Sequence, residues 1–424
     1  MKINKDILGS LRGARSELIV VFISRLGLAL FSLIFLKLLL SVFDAAQYGL
    51  FTFLIATAAT LNALIFSAAN IPVTHFATMA DNISWATRVF RTGASGIFIF
   101  SLLTISVISL AFYFFTPQLL SENKGIAGLL TGLWASVVGV STVTSAFALG
   151  RRRRVYNAIL NNGMIISRIV AVGTLLLFGV SGLFPIMISM ALANLAVALV
   201  ALFTLDNSNS FVSRKSFHEA VNKTDFVYTY RNNWLVSIGN GLLINCDKVF
   251  LAFFLPLEAI GLLAIYQQIC RAVSNMTIGT FYQFISPFIL RGVGGRALNQ
   301  AVISTFLVSF FTFAPIMLFV WLLLPWFVDF FIGEIFDLQP VQLVLVALAV
   351  SLNQSSKTNE LLFFHEKRVD LLKYPLFLSI FLFIISGSFC AIFFGLTGAI
   401  FALFIAGTAR YILAVVILSS VEKK

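Results

Sequence analysis

Residues 251–268 read LAFFLPLEAIGLLAIYQQ, and residues 39–56 read LLSVFDAAQYGLFTFLIA. Each stretch holds the end of an apolar helix, a short acidic turn, a glycine (Gly261 and Gly49) and the start of a second apolar helix. The two glycines lie 212 residues apart, half the 424-residue length of the chain. Prolines recur in the same way further on, Pro72 in AANIPVTHF and Pro287 in QFISPFILR. The chain therefore reads as two related halves, each built on the same pair of helices.

Working outward, 59% of the residues are hydrophobic and the mean hydropathy is +0.99, which a soluble core of this length cannot absorb. A membrane-spanning helix needs about 20 apolar residues, and the chain divides into twelve such segments. They fall at 18–43, 48–75, 93–115, 125–150, 155–180, 184–205, 234–255, 261–290, 300–325, 341–364, 374–395 and 398–420. Gly179 to Pro185 separates the fifth from the sixth, and Gly395 and Gly398 separate the last two. The longest polar stretch, 206–233, splits the chain into a six-helix half at 1–205 and another at 234–424. The expected fold is an all-α polytopic membrane protein with twelve transmembrane helices in two pseudo-symmetric six-helix halves. Six is even, so both halves share one orientation about an axis along the membrane normal, an arrangement suited to alternating access.

Orientation follows from the loops. Of the 29 Lys and Arg, 21 fall on one face, among them Arg151 to Arg154, and only Lys124 on the other, which carries Asp44, Glu122, Glu258, Asp329, Glu334 and Asp337. The positive-inside rule places the basic face and both termini in the cytoplasm. The net charge of +12 is thus a topology signal, and no nucleic-acid partner is expected. Arg151 to Arg154 anchors a helix end against anionic lipid headgroups, or docks a partner or a phosphate. Met1 to Ser16 shows no cleavable signal pattern. Cys246, Cys270 and Cys390 lie inside helices, which predicts reduced packing residues. His75, His218 and His365 lack ligand spacing, so neither a metal nor a cofactor is expected.

Seven cations remain inside the segments: Arg25, Lys37, Arg168, Lys248, Arg271, Lys357 and Arg410. Only Glu17, Asp247 and Glu360 oppose them. A charge in hydrocarbon costs at least ~2.5 kcal/mol, so such groups usually face a bundle interior or a water-filled path. A net-positive interior points to an anionic cargo. Helical spacing sorts the polar groups into stripes: Gln267 or Gln268 with Arg271, Ser274 and Asn275; Asn353 with Lys357 and Glu360; Asn240 with Asp247. Candidate substrate-binding residues are Arg25, Arg168, Arg271, Lys357, Arg410, Gln267, Asn275 and Asn353. Each has a structural reading beside the functional one. Arg25 and Lys37 can snorkel, Lys357 can pair with Glu360, and Asp247 can serve as the counter-ion of an arginine on a neighbouring helix. Guanidinium groups suit a diphosphate through paired hydrogen bonds. Ser136, Ser141, Thr142, Thr144 and Ser145 read as close-packing glue between helices.

The segment NCDKVFLAFFLPLEAIGLLAIYQQICRAVSNMTIGTFYQFISPFILR, residues 245–291, resembles the seventh and eighth helices of Wzx-type polysaccharide flippases of the MOP superfamily, which translocate O-antigen and other repeat units. The features that carry the resemblance are Asp247, Gly261, Tyr266 and Pro287, and FDAAQYGLFTFLIA in the first half matches the same pattern. Lys248 directly after Asp247 departs from it. The resemblance implies a flippase for a polyprenyl-pyrophosphate-linked oligosaccharide, in lipopolysaccharide or related polysaccharide biosynthesis at the bacterial inner membrane. Membrane lipids, and the polymerase and chain-length regulator of the same pathway, are the implied partners.

Two other readings compete with it. A MOP-type drug exporter of cationic amphiphiles requires an anionic cavity, the reverse of what these residues supply. A membrane glycan polymerase or ligase usually carries a long external loop with catalytic acids, and the external loops here are short. No GxxxxGK[ST] phosphate loop is present, so ATP use is not expected. Asp247 and Glu360 are the candidates for ion coupling, but each has a lysine neighbour, and downstream-pulled flipping is the rival.

Overall fold

The computed structural model describes residues 15–65, 73, 124–150, 154–207, 236, 238–243, 245, 247–290, 330, 335–365 and 369–422. Among them the chain is all-helical, with no strand. The helices are α1 Arg15–Leu40, α2 Ala45–Ile65, α3 Lys124–Gly150, α4 Arg154–Leu177, α5 Leu183–Asn207, α6 Leu257–Leu290, α7 Pro340–His365 and α8 Lys373–Glu422. A helical stretch at 247–251 precedes α6. The expected third and ninth spans, and nearly all of the 206–233 linker, lie outside the described residues.

Glycine decides where these apolar helices turn. Between α4 and α5 the chain reverses through Gly179 (φ 71°) and Gly182 (φ 132°), a region closed to most side chains. Within α8 the break is Gly395 (φ 58°). Three residues later, a Cβ added at Gly398 would sit 2.1 Å from the Cys390 carbonyl oxygen. The two arms of α8 run antiparallel, since Ser379 Oγ donates to the Ala406 carbonyl at 2.7 Å. Both breaks stand where the glycine pattern put them.

The starts of α2 and α6 differ from the expectation by three and four residues. Asp44 caps α2, its carboxylate accepting the Gln47 amide at 2.7 Å and its carbonyl the Tyr48 amide at 2.9 Å; this satisfies amides that would otherwise be orphaned. At α6 the Pro256 carbonyl receives the amides of Ala259 and Ile260, and Glu258 adds a negative charge in the first turn. Gly49 and Gly261 therefore lie one turn inside their helices rather than at the starts.

α6 is the hub. It packs on α1 and α2 of the first half and on α7 of the second, while α4 bridges α1 and α5, and α3 lies between α2 and α5. Gly49 and Gly261 mark the crossing of α2 with α6: a Cβ on Gly49 would fall 1.9 Å from the Leu257 carbonyl oxygen, and one on Gly261 would lie 3.2 Å from Gly49 N, Tyr48 and Phe336. Tyr48 and Phe336 are buried there, edge to face at 6.1 Å. Away from this core, Phe381, Phe389, Phe393 and Phe394 on α8, with Ile159 and Val170 on α4, point outward. An apolar exterior of this extent fits lipid and not water. Among the described residues six helical segments are long and apolar enough to cross a membrane, and the longest, Lys373–Leu418, contains the Gly395 break. The protein is a multi-pass membrane protein.

The hydroxyls of α3 bond mostly within their own helix, and Ser136, Ser141 and Thr144 are buried where the helix packs. Ser136, Ser141, Thr142 and Thr144 each donate to a carbonyl four residues back in their own helix. Only Ser145 reaches across, to Asn157 of α4.

Candidate functional site

α1, α2, α6 and the residues just before Val249 line a half-open cavity of about 260 Å³. Its walls include Arg25, Ser32, Thr52, Asn245, Lys248, Gln267, Gln268 and Arg271. On α2 the lining is Thr52, Ile55, Ala56 and Ala59, one helical stripe of small or apolar side chains that leaves room for a ligand. The lining begins and ends about 10 and 22 Å from the helix ends at Leu40, Ala45 and Leu257, at ~1.5 Å per residue. In a hydrocarbon layer ~30 Å thick, that is mid-membrane depth.

The polar groups form a network. Lys248 Nζ lies 3.3 Å from Asp247 Oδ1 and donates to Gln267 Oε1, while the Gln267 amide donates to Asp247 Oδ2. Arg271 Nη2 donates to the same Gln267 oxygen at 3.1 Å. Gln267 thus joins a lysine, an arginine and a carboxylate, as its i and i+4 spacing to Arg271 allows. Gln268 turns the other way and ties α6 to α1 through the Ser32 carbonyl at 2.8 Å. Among the described residues, three cations, Arg25, Lys248 and Arg271, and one carboxylate, Asp247, meet here. Among the described residues Arg25 makes no hydrogen bond or ion pair, so its five donors are available to a ligand.

Towards the end of the bundle bearing Asp44, Glu258 and Asp337, the lining stops three residues from the Gly49 and Gly261 crossing, at Thr52 and Ala264. Towards the other end, a Cβ on Gly241 would lie 1.8 Å from Ala63 Cβ, four residues beyond the last α2 lining residue. α2 touches the second half at both levels, and each contact rests on a glycine.

The other sequence candidates lie elsewhere. Arg168 sits among α3, α4 and α5, its Nε donating to Asn194 Oδ1 at 3.1 Å and its guanidinium 4.9 Å from the Trp134 ring centroid. Arg410, 2% exposed, donates to Asn353 Oδ1 at 3.3 Å and to Asn240 Oδ1, linking α8, α7 and the helical residues at 238–243. Asn353 thus serves a buried arginine and not the cavity. Lys37 is exposed in the last turn of α1, its Nζ 3.7 Å over the Phe330 ring. The side chains of Asn275, Lys357 and Glu360 lie outside the described residues.

Sequence reasoning missed a polar seam between α1 and α4. Asn162 Nδ2 bonds the Ser24 carbonyl at 3.1 Å and the Ala158 carbonyl at 2.9 Å, and Asn157 with Asn161 lines a small cleft that also reaches Arg25. Three asparagines at i, i+4 and i+5 in one apolar helix were the available signal.

The Arg410 cluster makes a prediction. Replacing Asn240 or Asn353 by leucine removes an acceptor from a buried cation and should lower stability by about 1.5–3 kcal/mol, read from unfolding in a graded denaturing detergent. Transport per folded molecule should not change.

Comparison with solved structures now bears on this geometry. The chain superposes on an outward-facing multidrug resistance MATE family transporter of the MOP superfamily with TM-score 0.66 and 12% identity, covering 96% of both chains. It superposes on the lipid II flippase MurJ in an inward closed conformation with TM-score 0.64 and 16% identity, covering 95% of this chain and 87% of that one. The chain shares the fold of these solved proteins. A further neighbour is a MOP superfamily transporter from Pyrococcus furiosus described as having a binding pocket of reversed polarity, with TM-score 0.62, 13% identity and 96% of both chains covered. No family model matches the chain, and no curated protein matches it in sequence. At these identities the likeness carries the fold, and function must come from the cavity.

Proposed function

We propose that this chain is a MOP-type flippase that moves a polyprenyl-pyrophosphate-linked oligosaccharide repeat unit across the bacterial inner membrane by alternating access of two six-helix halves, 1–205 and 234–424, joined by a cytoplasmic linker at 206–233. The observation that carries this reading is a mid-membrane cavity lined by Arg25, Lys248 and Arg271, with an Arg25 guanidinium that no described residue occupies. Arg25 and Arg271 hold the pyrophosphate, Gln267 and Asn245 meet sugar hydroxyls, and the polyprenyl tail stays in lipid. The fold shared with a lipid II flippase supports the substrate class. The sign of the cavity argues against export of cationic amphiphiles, the activity that the MATE neighbours' fold would otherwise favour.

At about 260 Å³ the cavity is below the ~300–1,000 Å³ of sites for drug-sized ligands, so loading an oligosaccharide needs a wider state. The crossings at Gly49 with Gly261 and at Gly241 with Ala63 are the contacts that must separate in turn. Under the positive-inside orientation the first is the external gate and the second the cytoplasmic one.

Asp247 holds Lys248 and Gln267 with both carboxylate oxygens, a closed network more fitted to positioning than to ion carriage. Asp247→Asn should leave flipping as insensitive to imposed proton and sodium gradients as the wild type. A gradient response present in the wild type and lost in this variant would assign Asp247 to coupling instead. Export itself is tested by complementing a strain deleted for its repeat-unit flippase: restored surface glycan supports the proposal, and restored drug resistance without glycan overturns it.

A further inference from the structure

Arg168 presents a separate problem of charge. It lies fourteen residues into α4, about 21 Å from the Arg154 end, and does not line the central cavity. Its described neighbours are a neutral amide and an aromatic ring. Between Leu18 and Leu205 the sequence holds only three acidic residues, Asp44, Asp81 and Glu122, all in loops between the expected spans. The nearest acid along α5 is Asp206, twelve residues and about 18 Å from Asn194. A partly buried charge in an apolar bundle calls for a counter-ion, and the carboxylates on the described helices of this half, Glu17 on α1 and Asp206 on α5, stand near helix ends.

Asn194 adds an independent observation. It is 1% exposed, and its Nδ2 has no hydrogen-bond partner. The orientation of this amide is set by its neighbour: Arg168 Nε is a donor and can only face the oxygen, so the Asn194 N–H groups must point elsewhere. The Arg168 guanidinium of α4 and the Asn194 amide of α5 thus bring donors together, and no described residue accepts a bond from the amide. Donors without acceptors, around an uncompensated cation, make an anion site.

We propose that the first half binds a small monovalent anion, chloride in ordinary salt, between Arg168 and Asn194, as the counter-ion that stabilises this bundle. The site is distinct from the cavity proposed for the lipid-linked substrate.

The test is thermal unfolding of the full chain in lipid nanodiscs at constant ionic strength, in sodium chloride, sodium bromide or sodium gluconate. Wild type should show a saturable rise in Tm of about 2–4 °C with chloride or bromide over gluconate. Arg168→Gln should abolish the rise. Asn194→Asp supplies the negative charge internally, so this variant in gluconate should match wild type in chloride and ignore the anion; it keeps the proposal testable if Arg168→Gln does not fold. Arg25→Gln with Arg271→Gln should retain the full rise. Equal Tm of wild type in chloride and gluconate would overturn the proposal, leaving water or nothing at the site. A rise that survives Asn194→Asp, or that disappears only in the Arg25 and Arg271 variant, would overturn it too.

Discussion

Arg271→Glu should abolish repeat-unit export while the protein still inserts at wild-type level. The substitution reverses the charge of one of the three cations that line the cavity and breaks the bond from Arg271 Nη2 to Gln267 at 3.1 Å. A hydrogen bond to a charged group contributes about 1.5–3 kcal/mol. Losing a pair to a pyrophosphate, and adding repulsion, corresponds to more than a hundredfold loss of binding. Arg25→Glu should behave likewise, and Arg271→Lys should keep only part of the activity, because an ammonium cannot present the two parallel donors of a guanidinium. Surface glycan on a deletion strain, normalised to membrane protein, reads all three. Wild-type export by Arg271→Glu would return Arg271 to a structural role.

The second large effect is expected at Gly49. A Cβ there meets the Leu257 carbonyl oxygen at 1.9 Å, and backbone cannot step aside as a flexible side chain would. Overpacking of this kind costs ~1–3 kcal/mol even where neighbours adapt, and here the upper figure applies, shifting the balance away from the closed external gate by roughly a hundredfold. Gly49→Val should therefore hold the cavity open to the outside. A cysteine placed at Thr52 should be modified by an impermeant thiol reagent from the external face in the Gly49→Val background and protected without it. Gly241→Val, facing Ala63, should produce the mirror result from the cytoplasmic face. Equal protection in both backgrounds would mean that these crossings are not gates.

The sequence made some of this legible for definite reasons. Gly179, Gly182 and Gly395 marked chain reversals because their left-handed backbone admits little else. Gly49 and Gly261 were visible as a repeated motif, but their purpose was not: they touch each other's helices, a fact about packing that neither helix contains. The starts of α2 and α6 were read too late because hydropathy does not register a cap, whereas Asp44 and Pro256 begin the helices by hydrogen bonding. Depth in the membrane was likewise readable for Arg168 and Arg410, which are as deep as Arg25 and Arg271. Direction was not, since it depends on Asn194, Trp134, Asn240 and Asn353 arriving from other helices. Lys248, next to Asp247 in the sequence, pairs with it at 3.3 Å, and the structure also places it on the cavity wall.

The central claim is that a cationic cavity accepts a lipid-linked pyrophosphate. Its most direct measurement is flipping in proteoliposomes, using a fluorescent polyprenyl-pyrophosphate disaccharide whose outer-leaflet fraction is bleached by an impermeant reductant, beside a fluorescent cationic amphiphile in the same vesicles. The account predicts that the wild-type chain accelerates exchange of the pyrophosphate lipid, that Arg25→Glu and Arg271→Glu do not, and that the cationic amphiphile is not moved. Transport of the amphiphile with no exchange of the lipid, or lipid exchange untouched by both substitutions, would contradict it.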